Sequence, residues 1–166
     1  MSDHSDAHAG AHTGSASTTA TSVPAPSLDD LADRLGEAQL LTDPDLLQGY
    51  RQDWAKAPNP GMPLAVVRAR STENVQEVMR WASAHGVPVV PRGAGSGLSG
   101  GATAVEGGIV LSTEQMRHID VDPVTRTATV QPGLYNAEVK AAVAEHGLWY
   151  PPDPSSYEIC SIGGNI

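Results

Sequence analysis

The chain has 166 residues, 40% of them hydrophobic and 17% charged, which is enough apolar material for about one globular domain. Ten Lys and Arg against 19 Asp and Glu leave a net charge of -9, which argues against nucleic acid as the main partner, because neutralising phosphates takes clustered cations. No run approaches the about 18 apolar residues of a membrane span. The single Cys160 excludes an internal disulfide, so a cytoplasmic protein without a transmembrane segment is expected.

Residues 1–26 are built almost wholly from Ser, Thr, Ala, His, Gly, Asp and Pro. Such a segment cannot bury enough apolar area to offset its ordering entropy, so a disordered tail is expected. His4, His8 and His12 recur every four residues, but the Ser/Thr/Gly context disfavours a helix and no acidic or Cys ligand completes a metal set.

Residues 27–62 read as a short helical lead-in. Ser27 with Asp30 resembles an N-cap box, Leu28, Leu31 and Leu35 follow at helical spacing, and Gly36 is a stop. Asp43-Pro44 offers a second start, with Leu46, Leu47 and Tyr50 as the buried side. The three prolines of residues 57–63 form a hinge.

From residue 63 to 166 strand and helix alternate, which marks a second unit. Residues 64–68 are a short apolar strand, and Thr72 caps a helix whose Val75, Val78, Met79 and Ala82 share a face before Gly86 closes it. Residues 87–90 are the next strand. Residues 109–111 and 127–130 follow as strands, with Asp122-Pro123 turning between them. A second helix spans 134–146 with Tyr135, Val139, Ala142 and Val143 inward, and residues 151–166 are loop-like. Trp81, Trp149 and Tyr150 are expected to anchor the core. His85 and His146 precede glycine stops, where an imidazole complements the helix dipole. The chain stops at Ile166 directly after Gly163-Gly164-Asn165, so it is expected to be the N-terminal part of a longer protein.

The strongest chemical signal is the run Pro91-Arg-Gly-Ala-Gly-Ser-Gly-Leu-Ser-Gly-Gly101 at the end of a strand. A polyanion needs backbone N–H groups aimed inward at short range, and glycine removes the side chains that would block that approach. Arg92 adds a charge-assisted donor, and Ser96 and Ser99 add hydroxyls. Gly95, Gly97 and Gly100 match the dinucleotide fingerprint literally, but that fingerprint needs a helix opening at its third glycine, and residues 101–106 are too few for one. The Gly-Lys-Ser/Thr of a nucleoside-triphosphate loop does not occur.

A glycine loop without a helix, followed by Gln131-Pro132-Gly133, by Pro151-Pro-Asp-Pro-Ser-Ser156 and by Cys160-Ser-Ile-Gly-Gly-Asn165, resembles the FAD-linked oxidase family, whose fold is that of vanillyl-alcohol oxidase and para-cresol methylhydroxylase. The likeness runs over residues 63–166 and is nearest to the glycolate oxidase and D-lactate dehydrogenase group. It implies an α+β fold, a partial para-cresol methylhydroxylase-type FAD-binding domain preceded by a tail and short helices. It also implies FAD as cofactor, with Arg92, Gly93, Ala94, Gly95, Ser96, Gly97, Leu98 and Ser99 around the pyrophosphate. Asp153, Pro154, Ser155, Cys160, Ser161, Gly163, Gly164 and Asn165 would lie along the isoalloxazine and ribityl part. Some members tether the flavin through a His in the first loop; Ser96 stands in that place, so the cofactor is expected to be non-covalent.

The resemblance further implies a flavin-dependent oxidoreductase that oxidises a small 2-hydroxy acid, of D-lactate or glycolate type, by hydride transfer to FAD and hands electrons to an unidentified acceptor. The substrate clamp and general base of the family lie after this stretch, so no residue here is assigned a catalytic role. The alternative is a non-catalytic phosphate-ligand binding module or an inactive truncated flavoprotein fragment.

Overall fold

The computed structural model describes residues 27–35 and 39–166. The expected tail at 1–26, with its three histidines, and the stop at Gly36 lie outside the described residues. Among the described residues, five helices and six strands follow in the order α1 (Asp29–Leu35), β1 (Leu40–Leu41), α2 (Pro44–Gln48), β2 (Ala65–Arg68), α3 (Thr72–His85), β3 (Val89–Arg92), β4 (Ile109–Ser112), β5 (Ile119–Asp122), β6 (Thr127–Val130), α4 (Asn136–Ala144) and α5 (Ile162–Asn165).

Four strands form one sheet in the order β1-β2-β4-β3, with β2, β4 and β3 parallel and β1 antiparallel at the edge. The two inner strands are continuous apolar runs, as parallel strands covered on both faces require. On one face Val67, Ile109 and Leu111 pack with Leu31 and Leu35 of α1 and with Val78, Trp81 and Ala82 of α3. On the other, Val66 and Val110 meet Leu47 of α2 and Ala104. A second, smaller core joins the β5–β6 hairpin to α4 through Leu134, Val139, Val143 and Ile162, with Ile119, Val121 and Val130 against them.

Local chemistry moves several boundaries. Ser27 accepts the N–H of Asp29 at 3.2 Å, and Asp30 takes no part in that turn. Asp43 caps α2 as expected, with Pro44 at the first position, but only Leu47 is buried there; Leu46 is exposed and Tyr50 is half-buried. Ser71, not Thr72, caps α3, its hydroxyl accepting Asn74 N–H. Val87 N–H is still donating to Ala82 O at the helix end, so β3 begins two residues later than the apolar run does. The helix expected from residue 134 starts at Asn136, because Leu134 O accepts Ile162 N–H and Tyr135 bridges to Ser161. It ends at Ala144, where the N–H groups of His146 and Gly147 fold back on Val143 and Ala144. Trp149 is not a core anchor: it is 78% exposed, while Trp81 is buried. Among the described residues no helix is long and apolar enough to cross a membrane.

Candidate functional site

The parallel strands deliver their C-terminal ends to one edge of the sheet, which is where ligands settle in open α/β sheets. β3 runs directly into the glycine loop. Across from that loop stands the turn entering α5. Between the two lies a cleft of about 450 Å³ whose walls are residues 91–99, Gly101, Ala102, Thr113, Pro132, Ser156, Cys160, Ser161, Gly163, Gly164 and Asn165, with Asp53 at the back.

Two loops can approach this closely only because their contact points are small. A Cβ on Gly93 would lie 2.3 Å from Ser161 Oγ, and the Ser161 hydroxyl accepts the Ala94 N–H at 3.1 Å. A Cβ on Gly163 would lie 2.5 Å from Pro132 Cβ, and the Gly163 N–H donates to Pro132 O at 2.9 Å. The sequence 131–133 therefore works as the floor that carries the second loop.

Within the first loop Gly95 has φ +72°, a left-handed conformation that other residues hold at a cost. The main-chain N–H groups of Gly95, Ser96, Gly97, Leu98 and Ser99 donate to no acceptor among the described residues. Five successive donors without an acceptor among the described residues, on a loop that lines a cleft, leave main-chain N–H groups available to an anion. No helix opens at Gly100, so the donors are those of the loop itself.

Arg92 lies on the cleft wall, but its guanidinium is turned toward the lead-in segment. Nη1 donates to Gln52 O at 2.9 Å, Nη2 reaches Gly49 O at 3.5 Å, and the group lies 5.6 Å from the centre of the Tyr50 ring. Burial pushes its pKa down, against the pull of Tyr50, Asp53 and Glu114. Tyr50 donates its hydroxyl to Glu114 at 2.9 Å; burial first, and that carboxylate second, push the phenol pKa up.

Every residue expected of the first loop, Arg92 to Ser99, lines the cleft, and so do Cys160, Ser161, Gly163, Gly164 and Asn165. Asp153, Pro154 and Ser155 do not. Asp153 is turned to α4 instead, where its Oδ1 takes Lys140 Nζ at 2.5 Å. Composition alone cannot tell which side of a proline-rich loop faces a ligand. Asp53 and Thr113 are wall residues that no sequence motif marked, whereas Pro132 belongs to the Gln131-Pro132-Gly133 motif. Asp53 is joined to the loop across 49 positions of chain, so no local pattern marks it. Among the described residues no group of three or more His, Cys, Asp and Glu is placed to hold a metal.

Residues 63–166 match the family described as FAD binding domain. The chain is 46% identical over 129 residues to a D-2-hydroxyglutarate dehydrogenase of Xanthomonas citri pv. viticola, covering 77% of this chain and 27% of that protein. It is 47% identical over 106 residues to the glycolate oxidase subunit GlcD of Bacillus subtilis, covering 63% of this chain and 23% of that one. Among solved structures it superposes on p-cresol methylhydroxylase with a TM-score of 0.63 at 24% identity, over 73% of this chain and 24% of the other, which establishes the expected fold. The chain thus spans about a quarter of the length of these relatives.

Proposed function

The chain belongs to the FAD binding domain family, and on that premise we propose that residues 91–102 hold the diphosphate of FAD while residues 156–165 line the flavin side of the cleft. The observation that carries this reading is the row of N–H groups from Gly95 to Ser99 without an acceptor among the described residues, on a loop that lines a cleft whose opposite wall is kept bare of side chains at Gly163 and Gly164. These donors supply the positive potential, and the glycines let the phosphate oxygens come within hydrogen-bond reach. Cys160, Ser161 and Asn165 form the wall along which the flavin end runs, with Asn165 offering an amide to its polar edge. Residues 63–166 are the FAD-binding unit, and residues 27–62 brace it.

Within a polypeptide of the size of its relatives, this unit serves a flavin-dependent oxidoreductase of the cytoplasm that acts on a small 2-hydroxy acid of D-lactate or glycolate type. When bound, without a covalent tether, the flavin would accept a hydride from the substrate α-carbon, the hydroxyl proton leaving to a base not assigned on this chain as the alcohol becomes a carbonyl. The electrons would then pass to an unidentified acceptor. The names of the two curated relatives support that substrate class. No side chain between residues 27 and 166 is assigned to the chemical step.

Titration of the purified chain with FAD, followed by flavin fluorescence, tests the reading. Micromolar binding that is lost in Gly95→Val supports it. Because a row of amides suits any diphosphate, ADP is the control: ADP binding as tight as FAD would favour a phosphate-ligand module, and no binding of either would overturn the assignment.

A further inference from the structure

A carboxylate stands against the wall of the cleft proposed for a diphosphate, where its charge would oppose the ligand unless it were spent. Asp53 is 4% exposed and both its oxygens are occupied by main-chain donors. Oδ1 accepts the Ala55 N–H at 3.0 Å, and Oδ2 accepts the Ala102 N–H at 3.3 Å. The Ala55 N–H is shared with Gly97 O at 3.1 Å, and Ala104 N–H donates to Arg51 O at 2.9 Å. A Cβ on Gly97 would sit 3.4 Å from Asp53 Oδ2. The Asp53 side chain therefore holds the returning limb directly, at the Ala102 N–H, and reaches the tip through the Ala55 N–H, which it shares with the Gly97 carbonyl.

The arrangement has a consequence for the outgoing limb. With the Gly97 carbonyl drawn toward Ala55 and the Ala102 N–H drawn toward Asp53, the polar groups of the far side are consumed by the protein. The N–H groups of residues 95–99 have no acceptor among the described residues, and they belong to the limb that lines the cleft. Arg92, whose guanidinium is fixed on the carbonyls of Gly49 and Gln52, sets a positive charge near the carboxylate.

We propose that Asp53 is a positioning residue for the anion-binding loop: it acts on the ligand through the amides it orients and makes no contact with the ligand itself. The inference rests on the FAD reading above and adds to it a residue outside the glycine motif.

The test compares the wild-type chain with Asp53→Asn and Asp53→Ala, titrating each with FAD and with riboflavin, which lacks phosphate. Positioning predicts FAD binding weakened about tenfold or more in Asp53→Asn, where an NH2 faces a backbone donor, and at least as much in Asp53→Ala. Riboflavin binding should change less than about twofold in the same variants, or stay below detection in all three proteins. FAD affinity equal to wild type would overturn the proposal, as would FAD and riboflavin weakened in the same proportion. Should Asp53→Ala not fold, the isosteric Asp53→Asn decides. A fold lost in that variant too would make Asp53 a folding residue and refute the positioning role. A wild-type chain that binds no FAD would instead sink the FAD reading, so the two failures are distinct.

Discussion

Ser161 Oγ occupies the space that a side chain on Gly93 would need, 2.3 Å from the site of its Cβ, and the same oxygen receives the Ala94 N–H at 3.1 Å. A residue 68 positions downstream thus sets the identity of a residue in the first loop. Gly93→Ala must push the two loops apart. Overpacking of this kind costs about 1–3 kcal/mol. The expected result is a lower melting temperature and FAD affinity reduced about tenfold or more, read by thermal unfolding and fluorescence titration. Wild-type values for both would refute the close contact.

Gly95 presents a different demand. Its φ of +72° costs a β-branched residue about 1–2 kcal/mol, and a Cβ there would stand 2.2 Å from Arg92 Nη2. Gly95→Val should therefore disturb both the loop and the Arg92 anchor, and abolish FAD binding at micromolar concentration. Gly107, with φ +68° and nothing within 4 Å of its added Cβ, is the control. Gly107→Ala should carry the backbone cost and leave the affinity within about twofold.

How far the sequence foretold this can be judged at particular residues. Helix α3 and strand β4 were legible because Val75, Val78 and Ala82 repeat at helical spacing and residues 109–111 are an unbroken apolar run. Strand β5, Ile119–Asp122, was not, since two acids alternate with its two apolar residues and its inward face is only partly buried. Strand β1 is two residues long and owes its existence to the edge of β2. The glycine loop announced itself by composition. The direction of the Arg92 guanidinium and the reach of Asp53 depend on where the lead-in segment folds back, which no short window records.

The β5–β6 turn offers a test by pH. The Asp122 carboxylate accepts Thr125 Oγ1–H at 2.7 Å, Val124 N–H at 2.9 Å and Thr125 N–H at 3.2 Å. These donors, the Thr125 hydroxyl first, hold its pKa below the usual carboxylate range. A depressed folded pKa means the turn is stabilised above the unfolded value of about 3.9, and that this contribution fades as pH falls through the lower, folded value. An NMR titration of the Asp122 side chain should give a midpoint below about 3.9, and Thr125→Ala should move it upward. A midpoint at or above the unfolded value would contradict the hydrogen bonding.

Arg92 separates a phosphate ligand from a wall anchor. Its Nη1 and Nη2 are engaged by Gln52 and Gly49, and its face lies over Tyr50, so its work in this structure is to bind the lead-in segment to the start of the loop. Lysine keeps the charge but not the planar fork, and it is more strongly hydrated, so it fits the half-buried position poorly. Arg92→Lys should lower stability by about 1–2 kcal/mol through the lost donors. The amides of residues 95–99 remain, so FAD affinity should fall by less than about threefold, with little change in its salt dependence. An affinity loss beyond about tenfold at an unchanged melting temperature would place the guanidinium on the ligand and make the cradle partly cationic.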